Sequence, residues 1–171
     1  MTEILHTGRH LELVKEGKWE FVRRHKASAV VAIIAVTPAE ELLLVEQHRV
    51  PVGASVIELP AGLVGEEDAG EDLLIAANRE LDEETGWTAK DLRIINRGPS
   101  SAGLTSEVVT MVHARNLTRT SAGGGVPGEG ITVHAIKRAH IVAWLAERAK
   151  AGYLIDHKVF AGLWWLGQTT T

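Results

Sequence analysis

The chain has 171 residues, enough for one domain with a real core, and its apolar (45%) and charged (23%) fractions are those of an ordinary globular protein. A formal net charge of −4 argues against broad nucleic-acid or anionic-membrane binding, and the absence of cysteine excludes disulfides and thiolate chemistry. The opening MTEILHTGRHLELVKEG interleaves acids and no stretch approaches the length of a membrane span, so neither a signal peptide nor an anchor is expected and a cytoplasmic protein is the default.

Residues 3–24 mix polar and apolar side chains and are broken by Gly8 and Gly17, which predicts short strands. Residues 28–36 (SAVVAIIAV) form a continuous β-branched run of the kind expected of a buried central strand. After Thr37-Pro38, residues 41–49 (ELLLVEQHR) predict a second strand, and Pro51-Val52-Gly53 turns the chain into a short strand at 56–58. Pro60 and Gly62 are expected to end regular structure. Residues 72–85 predict a helix with Leu73, Leu74, Ala77 and Leu81 inward and Gly86 as its stop. Further strands are expected at 92–96, 107–114 and 131–136, with a glycine-rich irregular stretch at 121–130 (SAGGGVPGEG). Two amphipathic helices, 140–151 and 156–166, complete the chain. This order predicts an α/β protein of one domain over 1–171, a mixed β-sheet sandwiched between helices.

The most informative segment is 65–87, GEEDAGEDLLIAANRELDEETGW. On a helix, Glu80, Glu83 and Glu84 stand at i, i+3 and i+4 and share one face. Three carboxylates so placed stabilise a helix poorly but suit a hard divalent cation such as Mg²⁺, which keeps waters and bridges to phosphates. The spacing fills every fixed position of G-x5-E-x7-R-E-U-x-E-E-x-G-U, with U a bulky apolar residue. It does so with Gly65, Glu71, Arg79, Glu80, Leu81, Glu83, Glu84, Gly86 and Trp87. This segment resembles the Nudix box of the Nudix hydrolases, which implies the Nudix fold and metal-dependent hydrolysis of a diphosphate linked to another moiety.

Flanking motifs are similar to those of the ADP-ribose pyrophosphatase and nucleoside-diphosphate-sugar branch. Glu58-Leu59-Pro60-Ala61-Gly62 resembles its E-x-P-A-G lead-in, Glu46-Gln47-His48-Arg49 its E-Q-x-R strand, and residues 101–107 (SAGLTSE) its S-P-G-x-[ST]-x-E loop. Glu129-Gly130-Ile131 resembles its late E-x-I loop. Gly17-Lys18-Trp19-Glu20 and Arg23-Arg24 look like N-terminal strands that cross to a partner subunit in that branch. The resemblance thus implies a homodimer with swapped N-terminal strands (1–25), a catalytic core over 26–171, and no nucleic-acid or membrane partner. Three features depart from the branch. The loop from Gly62 to Glu71 is longer than usual, so either Gly62 or Gly65 can be the box glycine. Ala102 replaces a proline, and Glu129 is the only carboxylate of the late loop.

Carried over residue by residue, the resemblance implies metal ligands at Glu80, Glu84 and Glu83 and at the Ala61 carbonyl, with Mg²⁺ as cofactor and Mn²⁺ as a possible substitute. Arg79 would hold Glu83 or Glu71 by charge-assisted hydrogen bonds, and Glu71, with Gly65 and Gly86, would shape the box. Glu129 is the first candidate for general base, Glu83 the fallback and Glu107 a third. Trp19 and Glu20 are candidates for the nucleoside; Trp19 serves equally well as an interface residue. Arg49 and one of Arg23 or Arg24 would clamp phosphates and outer ribose, with Glu58, Gly103, Leu104 and Glu107 at the substrate. Trp144, Trp164 and Trp165 are expected in the core, and the eight histidines show no ligand spacing. The expected reaction splits ADP-ribose, or a related nucleoside-diphosphate sugar, into AMP and ribose 5-phosphate or their equivalents. The alternatives are another nucleoside-diphosphate derivative, such as a diadenosine polyphosphate, or a sensor domain that binds without cleaving.

Overall fold

The computed structural model describes residues 1–25, 29–65 and 70–168. The expected strand start at Ser28 and residues 66–69 of the loop before the acidic helix lie outside the described residues. In chain order the strands and helices are β1 (Thr2–Thr7), β2 (Leu11–Glu16), β3 (Trp19–Arg24), β4 (Ala29–Ala35), β5 (Glu41–Arg49), β6 (Ala54–Glu58) and β7 (Ala61–Val64). They continue with α1 (Leu73–Thr85), β8 (Trp87–Pro99), β9 (Val108–Arg119), β10 (Thr132–Lys137), α2 (Ile141–Lys150), β11 (Leu154–Ile155) and α3 (His157–Gln168).

Three sheets result. The N-terminal strands form a meander, β1-β2-β3, that is exposed along most of its length. The core is built from two four-stranded sheets, β7-β4-β9-β8 and β10-β5-β6-β11. Both are mixed, because β4 runs parallel to β9 and β6 parallel to β11 while the other pairs are antiparallel. The α/β class therefore stands, with the expected mixed sheet divided in two.

The β-branched run is the centre of the molecule, and its alternation supplies both cores. One face of β4 (Val31, Ile33, Ala35) packs with Val112 and Ala114 of β9 beneath Ala76, Ala77 and Leu81 of α1. The other face (Ala32, Ile34) packs with Leu42, Leu44 and Ile57 of the second sheet and with Ile141, Leu145, Val159 and Leu166 of α2 and α3. A strand buried on both faces reads as continuous apolar sequence, which is why residues 29–35 lack polar alternation.

Several strand boundaries differ from the sequence expectation: β9 runs on to Arg119, β6 begins at Ala54 and β11 is additional. Regular structure does not end at Pro60, because β7 follows and pairs antiparallel with β4, Ala61 opposite Ala32 and Val64 opposite Ala29. Four residues flanked by proline and glycine carry too little pattern to announce a strand. The strand predicted at 92–96 extends over β8 from Trp87, since Asn78 Oδ1 on α1 accepts the Ala89 amide at 2.7 Å and holds the chain extended directly after the helix. By contrast α1 has the predicted limits. Asp72 caps it by accepting the amides of Leu74 and Ile75, and Gly86 ends it in the left-handed conformation.

Leu81 is fully buried between α1 and the sheet. Leu81→Ala is expected to lower unfolding stability by about 2–5 kcal/mol in chemical denaturation. A loss below about 1 kcal/mol would mean that α1 does not dock as described.

Candidate active site

The burial of Leu81 carries its helical neighbours Glu80 and Glu84 into the seam between α1 and β7. Glu84 is only 7% exposed, and its Oε2 accepts the backbone amide of Ala61 at 3.0 Å. Glu80 lies against Gly62. A Cβ on that glycine would sit 1.9 Å from the Glu80 carboxyl carbon. Gly62 is therefore glycine because the carboxylate occupies the space of its missing side chain, and Gly65 has a positive φ of 76°.

Desolvation is the largest influence on both carboxyls. It pushes Glu84 up to about 8 and Glu80 up to about 7, from an ordinary 4.5. Their mutual repulsion and the nearby Glu129 add to the rise at Glu84. Arg79 partly offsets it at Glu80, through Nη1 at 2.9 Å from Oε1.

Arg79 is the hub of the remaining acids. Its Nε and Nη2 donate to the two oxygens of Glu71 at 3.0 and 3.3 Å, and Nη1 donates to Glu83 at 3.2 Å. Nη2 also reaches the Leu63 carbonyl at 3.4 Å. Glu71 in turn accepts the Gly65 amide at 3.3 Å, and the arginine fork holds its carboxyl below the usual carboxylate range. The either–or reading of Arg79 resolves to both: it holds Glu71 and Glu83 together and touches Glu80 as well.

The glycine-rich stretch is docked on the C-terminal end of α1. Gly124 and Gly125 donate their amides to the carbonyls of Glu84 and Glu83 at 2.8 and 2.9 Å, and Thr120 bonds Asp82 through its hydroxyl. A Cβ on Gly123, where φ is +70°, would meet the Thr85 carbonyl carbon at 2.3 Å, so the two backbones touch only because this residue is glycine. Glu129 follows on the same stretch. Its backbone carbonyl accepts from Gln47 at 3.0 Å, and its carboxylate accepts the Val126 amide at 2.9 Å. Sequence reasoning took the stretch as merely irregular and missed this attachment; the run Gly123-Gly124-Gly125 was the available signal.

The other predicted residues fall into two further groups. Arg49 Nε donates to buried Glu58 at 2.7 Å, and both line a cavity of about 610 Å³ with Asn96, Ser100 and Lys158. Arg49 also has a weak lowering effect on the Glu84 pKa. Trp19, 57% exposed, lines a second cavity of about 450 Å³ with Gly17, Phe21, Ala102 and Gly103. There β3 clasps the loop that resembles S-P-G-x-[ST]-x-E, with the Val22 amide on the Leu104 carbonyl at 2.9 Å. Arg24 pairs with Glu107 at 2.9 Å and Arg23 with Glu12 at 2.7 Å, so in this chain all four are engaged with one another, while Glu20 is exposed. Trp144 and Trp165 pack against His134 and His113, but Trp164 is 66% exposed, contrary to its expected core position, because it lies on the outer face of α3.

Among the described residues, no three His, Asp or Glu side chains converge into a closed metal cage. What fits a divalent cation is the open pair Glu80 and Glu84, two desolvated oxygen donors that repel each other beside the Ala61 backbone.

A NUDIX domain model matches residues 25–150, most of the chain. The protein belongs to the Nudix family. Among its relatives, a Bacillus methanolicus protein named methanol dehydrogenase activator is 34% identical over 109 residues, covering 64% of this chain and 56% of that one. An ADP-ribose pyrophosphatase of Bacillus subtilis is 38% identical over 104 residues, covering 61% of this chain and 53% of that one. The matches thus span little more than half the length of these two relatives. The crystal structure of an ADP compounds hydrolase superposes with a TM-score of 0.72 at 23% identity, covering all of this chain and 95% of that one, and shares the Nudix fold. No described helix is long and apolar enough to cross a membrane.

Glu84 ionises at higher pH in the folded chain than in the unfolded one, so the folded state holds its proton more tightly. Without metal, its contribution to stability is complete below pH 4.5 and is lost as pH rises through about 8. Glu84→Gln keeps an acceptor for the Ala61 amide and removes the charge. Relative to wild type, the metal-free variant should match in Tm near pH 4.5 and melt higher at pH 8.5; equal Tm values at both pH values would overturn the assignment.

Proposed function

We propose that the protein hydrolyses the diphosphate linkage of ADP-ribose, or of a closely related nucleoside-diphosphate sugar, with Mg²⁺ held by Glu80 and Glu84. The observation that carries this reading is the seam itself. Two desolvated carboxylates on one face of α1 are both pushed towards protonation, and only one of them, Glu80, meets an arginine. The similarity to the Bacillus subtilis ADP-ribose pyrophosphatase supports the substrate class, as do the Arg49, Glu58 and Glu129 motifs. A sensor domain is disfavoured, because every glutamate of the box is present and Gly62 is shaped around one of them.

In this reading Glu80 and Glu84 hold the cation, with the Ala61 carbonyl as the backbone donor. A divalent cation held there would supply neutralisation of the phosphoryl charge. Arg49 binds the diphosphate at the mouth of the larger cavity, held in orientation by Glu58. Glu129 takes the proton of the attacking water as its oxygen bonds to phosphorus and the bridging P–O bond breaks; the bridging oxygen leaves with the second phosphate. Glu129 is assigned this role from the resemblance of its loop, and its charge acts on both Glu80 and Glu84; Glu83, which bonds Arg79, is the fallback. Trp19, on the exposed meander with Ile4, Leu11 and Leu13, offers a stacking face that a second copy would complete, consistent with a cytoplasmic homodimer.

The purified protein with Mg²⁺ and ADP-ribose should release AMP and ribose 5-phosphate, followed by chromatography with UDP-glucose, GDP-mannose and a diadenosine polyphosphate in parallel. Cleavage of none of them would sink the reading, and cleavage only of the last would move it to another diphosphate. Gly62→Ala should displace the Glu80 carboxylate and cut turnover by orders of magnitude while Tm changes little, because the clash is with the end of a flexible side chain. Glu129→Gln should lower kcat by about 10²–10⁴-fold; an unchanged kcat would return the base to Glu83.

A further inference from the structure

On the sheet face opposite α1, β8 and β9 carry a basic cluster that the proposed reaction does not use. Arg93 stands opposite His113 in the ladder, and Arg115 lies two residues further along β9. With Leu92, Asp91 and Trp165 they line a small cavity of about 130 Å³. That is room for about four waters, the size class of one hydrated tetrahedral oxyanion.

The chemistry of the lining is selective. Neither Arg93 nor Arg115 makes an ion pair or side-chain hydrogen bond with any described residue, although the chain carries net negative charge. Asp91, the acid of the group, is bonded to the Asn116 side-chain amide. The Trp165 indole donates to His113 Nδ1 at 3.2 Å. An Nδ1 that accepts leaves the ring hydrogen of the neutral imidazole on Nε2, so His113 can act as a donor without becoming charged. Burial lowers the His113 pKa, and Arg115, Arg138 and Arg93 lower it further, so the surrounding field is positive. Two guanidinium forks without a described side-chain partner, an imidazole donor and an apolar wall outnumber the one acceptor of the lining, Asp91, which is bonded to Asn116.

We propose that this cavity is an oxyanion site, distinct from the carboxylate seam, that takes orthophosphate or the phosphate of a monoester. Both sources present the same three-oxygen face to the paired guanidinium forks. The site stands independently of the substrate reading above, since none of its residues belongs to the Nudix box or the flanking motifs.

The test is a titration of the full chain, without divalent metal and at constant ionic strength, with orthophosphate and separately with ribose 5-phosphate. The Trp165 indole ¹H–¹⁵N signal, assigned with Trp165→Phe, reports on the His113 contact. A saturable shift is expected, weakened about tenfold or more in R93Q/R115Q and unaffected in R49Q. A response to ribose 5-phosphate alone would keep the site and identify the monoester as its ligand. No saturable shift with either anion, an unchanged shift in R93Q/R115Q, or its loss in R49Q would overturn the proposal, the last by placing the anion in the larger cavity. The two arginines are exposed, so their replacement leaves the core intact; R93K/R115K, which keeps the charge and loses the fork, should bind with intermediate strength.

Discussion

Two carboxylates held out of water within one turn of a helix are the constraint around which this molecule is arranged. Glu80 and Glu84 flank Leu81, and Leu81 cannot be buried without taking them into the seam. Burying a leucine side chain contributes about 1.5–3 kcal/mol, whereas desolvating a lone carboxylate costs more than that. The fold answers with a backbone amide for Glu84, an arginine for Glu80 and a proton for either when no cation is present. A divalent cation would relieve the same conflict, which is why the site reads as a binding site rather than as a packing device.

Arg79 makes the arrangement possible by being spent unequally. It gives its strongest contact to Glu71, further bonds to Glu83 and Glu80, and none to Glu84. Three glutamates thus share one guanidinium, and the fourth and most buried, Glu84, receives none of it. Even distribution would neutralise the helix face and leave no cation site. The structural acids of the box and its chemical acids are separated by distance from a single side chain.

How much of this was legible in the sequence follows the range of each interaction. The helix and its stop were readable because an apolar period and a terminal glycine are local, whereas the capping role of Asp72 emerged only from the structure. The central strand was readable from its β-branched run. β7 was not, because four residues between proline and a loop have no period, and only their pairing with β4 makes them a strand. Motif spacing located the carboxylates, yet it could not show that the Glu80 side chain folds against Gly62, a contact between residues far apart in the chain. The exposed position of Trp164 was likewise invisible: two adjacent tryptophans on a helix face different ways, and periodicity does not say which way is inward.

The glycine-rich stretch shows how one segment can be both fixed and free. Its first half, from Thr120 to Gly125, is bonded to the last turn of α1, supplying amides to carbonyls that a helix end otherwise leaves unpaired. Those carbonyls belong to Glu83 and Glu84, so the stretch is registered to the very residues whose side chains form the site. Its second half is different: Gly128 and Gly130 have positive φ and nothing close to the space a side chain would fill. Glu129 stands between them, restrained by the Val126 amide and by Gln47. Glu129 thus combines an anchor registered to Glu84 with flanking glycines whose side-chain space is open. A proton acceptor needs that combination, since it must reach the reacting water to within hydrogen-bond distance and yet not collapse onto two carboxylates of its own sign.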